Sequence, residues 1–218
     1  MPEELAVDAG EHPVIETTST TQPKPLRIRF ARQVSNLLAP FTISIPAVLL
    51  VAFYDAKNVV SALFYTCVTL FFLSFGPMLY IIIGVRLGKF SDLDVSRRKE
   101  RVGPFLFGLA SVLVGLITLV SINAPKNLQT LFILTTVSCI VMLFITLWWK
   151  ISIHASSLAG TVTFLTALYG AIVLPAFLLV ILVSWSRVVL RRHTVAQVVA
   201  GALVSITLTS AILFIRGV

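Results

Sequence analysis

Residues 155–186, ASSLAGTVTFLTALYGAIVLPAFLLVILVSWS, run for 32 positions without a charged side chain. As one straight helix this run would reach roughly 48 Å, well beyond a hydrocarbon core roughly 30 Å thick. Folded at Gly170 into a hairpin, it gives two arms of roughly 23 Å, each slightly short of a full crossing. The choice between rod and hairpin decides which membrane face receives every residue that follows.

The surrounding sequence is of the same kind. Apolar runs lie at about 37–54, 59–85, 103–122, 128–149 and 195–215. Across the 218 residues 57% are hydrophobic and 12% charged, with a mean hydropathy of +0.98. Soluble domains average about 45–50% apolar and about 25% charged, so the expected fold class is all-α, a polytopic membrane helix bundle of six to seven crossings. Pro40 and Pro46 in the first run and Gly76-Pro77 in the second predict kinks. Residues 1–25 are rich in Pro, Thr and Glu, carry five acids and no apolar run, and are expected to be a disordered acidic tail. This segment lacks the basic start and apolar centre of a secretory signal. Lys24, Arg27, Arg29 and Arg32 then lead into a basic juxtamembrane collar over 26–36, suited to anionic headgroups, and 37–218 is the transmembrane domain.

Charge arbitrates between rod and hairpin, because Lys and Arg collect on the cytoplasmic side of a membrane. With the hairpin, 14 of the 17 basic residues share the side of the N-terminus, and only Lys57, Lys126 and Arg216 fall opposite. The rod gives 12 against 5. Seven crossings with a cytoplasmic N-terminus is the better reading, and it makes the chain a multi-pass integral membrane protein. The expected partner is the lipid bilayer, with no nucleic acid.

The net charge of +8 is unevenly spread, since none of the nine acids lies beyond Glu100. Chemistry in the C-terminal half must therefore run on His, Arg, Lys, hydroxyls and amides, which excludes a catalytic carboxylate pair there. Cys67 and Cys139 stand in apolar runs and read as small hydrophobes. Trp148, Trp149 and Trp185 fall at run ends, where an interfacial belt belongs.

Three polar clusters interrupt the apolar runs: SDLDVSRRKERVGP at 91–104, WKISIHASS at 149–157 and SWSRVVLRRHTVAQ at 184–197. The hairpin puts all three on one face. Beyond the tail the only histidines are His154, in the second cluster, and His193, in the third. An arginine at such an edge either snorkels to headgroups or belongs to a site.

The third cluster reads Ser186-Arg187, five residues, His193, three residues, Gln197. It resembles the last signature of the type 2 phosphatidic acid phosphatase superfamily, in which Ser-Arg, five residues, His, three residues, Asp supplies a phosphate-binding Arg and a nucleophilic His. Ile151-Ser152-Ile153-His154 is similar to that family's Pro-Ser-Gly-His element, whose His is the general acid. The resemblance covers about 90–216 and implies a phosphatase acting on a lipid phosphate or prenyl diphosphate through a phosphohistidine, with no cofactor. It implies His193 as nucleophile, His154 as acid, and Arg187 and Ser152 as phosphate ligands. The family's Asp is replaced by Gln197, which can accept the ring N–H but brings no charge.

The first cluster departs from the family's Lys, six residues, Arg-Pro. Arg98 and Arg101, three apart, share a face if helical, and the planar guanidinium suits phosphate oxygens. Lys150 is placed to stand in for the missing Lys. Two other readings stay open: a prenyl diphosphate transferase or cyclase with a metal at Asp92 and Asp94, and a catalytically silent lipid-binding or transport protein.

Overall fold

The computed structural model describes residues 25–218, so the tail expected over 1–25 lies, but for Pro25, outside the described residues. Those residues form helices and no strand. In chain order they are α1 (Leu26–Leu37), α2 (Pro40–Asp55), α3 (Val59–Leu70), α4 (Gly76–Arg86), α5 (Val102–Ser121), α6 (Lys126–Trp148), α7 (Ile153–Tyr169), α8 (Phe177–Val189) and α9 (Val195–Arg216). Five stretches are long and apolar enough to cross a membrane: Val59–Arg86, Arg98–Ser121, Lys126–Trp148, Ile153–Val189 and Val195–Arg216. The pair α1 and α2, bent by 42°, makes a sixth. The protein is a multi-pass helical membrane protein.

The stretch Ile153–Val189 is not one rod. α7 stops at Gly170, whose φ of +75° suits a residue without a Cβ, and a tight 3₁₀ segment over Gly170–Ala176 carries the chain into α8. α8 returns along α7, so that Leu158, Ala159 and Val162 share one buried cluster with Val180 and Val183. Both ends of the stretch reach the same cavity, through His154 and Arg187. The hairpin expected at Gly170 is therefore the observed fold.

The prolines act as their chemistry dictates, with one difference. Pro40 opens α2 just after the 42° bend, a position where its missing N–H is not needed, while Pro46 sits inside α2 without ending it. Between α3 and α4 the chain widens into a π turn over Phe71–Phe75, directly ahead of Gly76-Pro77. In that register the carbonyl deprived of a partner by Pro77 is Phe72's, and Ser111 on α5 donates its hydroxyl to it at 2.6 Å. The hydrogen bond lost at the proline is thus replaced by a side chain from the neighbouring span.

α7 and α9 meet along a face of small residues. Gly160 on α7 packs against Ser205 and Thr209 on α9, Gly201 on α9 packs against the Ser152 carbonyl just ahead of α7, and Ser156 Oγ donates to Ser205 Oγ at 3.1 Å. In lipid there is no hydrophobic drive to join two helices, so close backbone approach and polar contacts of this sort hold them. The larger apolar residues fill the other side, where Phe132, Phe164, Leu119 and Leu128 are fully enclosed.

A Cβ at Gly201 would lie 2.8 Å from the carbonyl oxygen of Ser152, whereas one at Gly108 meets nothing within 4 Å. Gly201→Ala is expected to lower stability by about 1–3 kcal/mol, because backbone must move to admit the methyl. Gly108→Ala should be neutral or stabilising, an interior helical glycine being about 1 kcal/mol worse than alanine. Thermal unfolding of both variants in one detergent reads the contrast.

Candidate active site

The α4–α5 loop, the α6–α7 loop and the α8–α9 loop all come together at one end of the bundle, and backbone contacts lock them to each other. Arg101 donates from Nε to the carbonyl of Val95 at 3.0 Å and from its terminal nitrogen to the carbonyl of Ile151 at 3.1 Å. The amide of Ser152 donates to the carbonyl of Gln197 at 3.3 Å. Arg187 closes the ring by donating to Asp94 Oδ2 at 2.9 Å.

Arg187 ends α8 with its side chain 3% exposed. Besides Asp94 it holds Ser35 Oγ of α1 at 2.7 Å, and its Nε has no partner among the described residues. Asp94 is set up by a short turn in which Asp92 Oδ1 accepts from the Asp94 amide at 2.9 Å and from Ser96 Oγ at 3.1 Å. The next residue, Val95, has φ +45°, a left-handed conformation that a β-branched residue rarely adopts. Burial works to raise the Asp94 carboxyl, but Arg187 beside it prevails and holds it below the usual carboxylate value.

His193 follows the end of α8 and precedes Thr194, the N-cap of α9. Thr194 Oγ1 accepts from the Gln197 amide, and Gln197 Oε1 accepts in return from the Thr194 amide at 3.2 Å, forming a capping box. The same Oε1 lies 3.2 Å from His193 Nδ1. An amide oxygen can only accept, so this contact requires the proton on Nδ1 and leaves Nε2 with its lone pair. Burial, with the positive charges of Arg187, Lys150 and Arg101, pushes His193 down to about 3, against the bond to Gln197. The imidazole is neutral at physiological pH. Lys150 is lowered too, by burial first and then by Arg101, Arg187 and Arg192.

Asp94, Arg101, His154, Arg187 and His193 line one end of a cavity of about 650 Å³. From there the cavity continues between α2, α4, α5 and α6 past Ile43, Val48, Met78, Phe105, Leu134 and Met142. A polar head region and a mainly apolar channel, with hydroxyls such as Ser44, Ser74 and Thr135 in its wall, are thus continuous.

Not every expected residue lies on this cavity. Arg98 and Arg101 belong to a 3₁₀ turn, but Arg98 stays at the outer edge, bonded at 2.6 Å to the carbonyl of Leu147, and only Arg101 is buried. Ser152 is fully enclosed and caps α7, its Oγ accepting from the Ala155 amide at 3.4 Å. Lys150 is half-buried beside the cavity wall. Asp92, the other half of the metal alternative, lies 3.7 Å from Arg192, and Asp94 2.9 Å from Arg187. Among the described residues no group of three or more His, Cys, Asp or Glu side chains is gathered to hold a metal ion.

One participant and one role go unforeseen in the sequence. Ser35 holds Arg187 across 152 positions of chain. Its signal is the buried stripe Ala31, Val34 and Ser35 at helical spacing, which makes α1 a packed amphipathic helix as well as a basic collar. Asp94 serves as partner to Arg187.

A histidine held neutral when folded, and free to protonate near 6.5 when unfolded, makes the unfolded state the better proton binder at low pH. Stability from this group is fully present above about 6.5 and is lost as pH falls toward 3. Thermal midpoints measured between pH 7 and pH 4 should therefore decline with acidification, and His193→Asn should make that decline shallower.

Set against protein-family models, curated proteins and solved structures, the chain gives no match.

Proposed function

We propose that this protein is a membrane-embedded phosphatase that removes phosphate from a lipid phosphate or prenyl diphosphate through a phosphohistidine intermediate. The observation that carries the reading is the joint placement of His193, His154, Arg187 and Arg101 at the polar end of a cavity whose other end is apolar. The spacing of Arg187, His193 and Gln197, similar to that of the type 2 phosphatidic acid phosphatase superfamily, points the same way.

Phosphoryl transfer needs the equatorial oxygens neutralised and the nucleophile in line with the leaving group. Arg187 and Arg101 neutralise, with Lys150, which does not line the cavity, adding positive potential from behind. The bound phosphate takes over the place that Asp94 holds on Arg187. His193 attacks phosphorus through Nε2, forming an N–P bond as the P–O bond to the lipid breaks. His154, which enters the step as the imidazolium after taking up a proton with the anionic substrate, gives that proton to the departing oxygen and then regains one from the water that hydrolyses the N–P bond, releasing inorganic phosphate and restoring both rings. Gln197 keeps the nucleophilic nitrogen pointed inward. The apolar channel takes the hydrocarbon.

Purified protein supplied with mixed lipid phosphates should release phosphate and accumulate an acid-labile, alkali-stable phosphoenzyme. His193→Ala is expected to abolish both. His154→Ala should slow formation of the intermediate by about 10²–10⁴-fold, most strongly with poor leaving groups. Gln197→Glu keeps the reach of the cap and adds a charge that stabilises the imidazolium, so turnover should hold or rise. Near-wild-type turnover by His193→Ala overturns the reading.

We infer seven crossings for the chain, with the N-terminus and the site on the cytoplasmic side. Support comes from the fold-back at Gly170 and from the 14 to 3 division of basic residues. After replacement of Cys67 and Cys139, Lys89→Cys, Trp149→Cys and Arg191→Cys should react with an impermeant maleimide from the cytoplasmic side, and Lys57→Cys from the other. Labelling of positions 89 and 191 from opposite sides would contradict this topology.

A further inference from the structure

At the end of the bundle remote from the histidines lies a second cavity, of about 670 Å³, between the α2–α3 loop, the α5–α6 loop and the end of α9. Among the described residues this end carries three cationic side chains, Lys57, Lys126 and Arg216, and all three line that cavity. Three elements far apart in sequence deliver them to one place. Arg216 is fixed there by Thr130, a fully buried residue whose Oγ1 accepts from its Nε at 3.2 Å. A cation that merely snorkels to headgroups has no need of such an anchor.

A second feature points inward. Asn127, 9% exposed, lines the same cavity and makes no side-chain hydrogen bond among the described residues. It stands in the first turn of α6, which has no side-chain cap, so the amides of Lys126 and Asn127 also lack an acceptor within the helix. Unpaired amide donors at the start of a long helix, with cations around them, form an environment that favours an anion. Among side chains one carboxylate, Asp55, shares the wall with the three cations.

We propose that this cavity binds a phosphate-bearing anion at the end of the bundle remote from the histidines. Lys57, Lys126 and Arg216 supply charge, and Asn127 with the α6 amides supplies directed donors. The ligand is either the headgroup of an anionic phospholipid in the adjoining leaflet or a free phosphate from solution; the recognition chemistry is common to both. The proposal is one of binding alone. The proposal is independent of the phosphatase reading.

The full chain, delipidated in detergent, is tested with phosphatidylglycerol, with phosphatidylcholine and with inorganic phosphate, the lipids read by native mass spectrometry and the phosphate by equilibrium dialysis. Lys126→Gln/Arg216→Gln should weaken retention of phosphatidylglycerol by about tenfold or more, the loss expected for removing charged hydrogen bonds. Phosphatidylcholine retention should stay as in the wild type. Arg187→Gln, which disables the other face, should leave phosphatidylglycerol retention unchanged. If the double variant weakens inorganic phosphate binding while phosphatidylglycerol binding is indifferent to it, the ligand is the free anion. Should the double variant fail to fold, the exposed Lys57→Gln and the neutral Asn127→Ala are read in its place. Binding of both probes equal to wild type in these variants overturns the proposal.

Discussion

A helix of the length of Ile153–Val189, 37 residues, would run about 55 Å, nearly twice the hydrocarbon thickness. It has to turn back, and the position of the turn decides which polar residues meet. With the turn at Gly170 the two arms are nearly equal, so the residues just before α7 and those at the end of α8 return to the same depth. His154 and Arg187, 33 positions apart, then share a cavity wall. The small-residue face between α7 and α9 adds the third element by drawing the start of α9, and with it His193, against the loop at Ser152. A side chain at Gly201 would push those pieces apart, which is why the packing of two helices and the assembly of a polar site are one problem here.

Bringing arginines into such a place requires that their donors be answered. Arg187 and Arg101 are almost completely enclosed, and an unpaired buried charge is strongly destabilising. Arg187 has a carboxylate and a hydroxyl, while Arg101 relies on two backbone carbonyls. The two arrangements differ in what an arriving anion encounters. The carbonyls around Arg101 are held by the fold, whereas Asp94 sits on an exposed loop turn and is a like-charged competitor for any phosphate approaching Arg187. The left-handed Val95 next to it marks the turn as held in place by its surroundings.

The sequence makes much of this legible. Run length and the distribution of basic residues point to a fold-back, and the three polar clusters follow onto one face from parity alone. The relation between His193 and Gln197 is likewise local, four positions apart at a helix start. What stays hidden is depth and distance. Arg98 and Arg101 are indistinguishable as letters, but a tight turn leaves one at the rim and buries the other. Ser35 cannot be linked to Arg187 across 152 positions by any pattern, because the contact exists only once α1 has packed against α8. Ser152 is drawn toward phosphate by its neighbours in sequence, yet a serine just before a helix is also the preferred cap, and that local demand engages its hydroxyl.

One oxygen atom carries an obligation in two directions. Gln197 Oε1 receives both the Thr194 amide, closing the first turn of α9, and Nδ1 of His193. Winding of the helix end and aim of the ring are therefore a single degree of freedom: when the turn frays, the imidazole loses its tautomeric preference and its direction together. Local order at the start of α9 becomes a direct measure of how much of the protein is poised, and amide exchange at Thr194 and Gln197 would report readiness of the ring without a ligand ever being added.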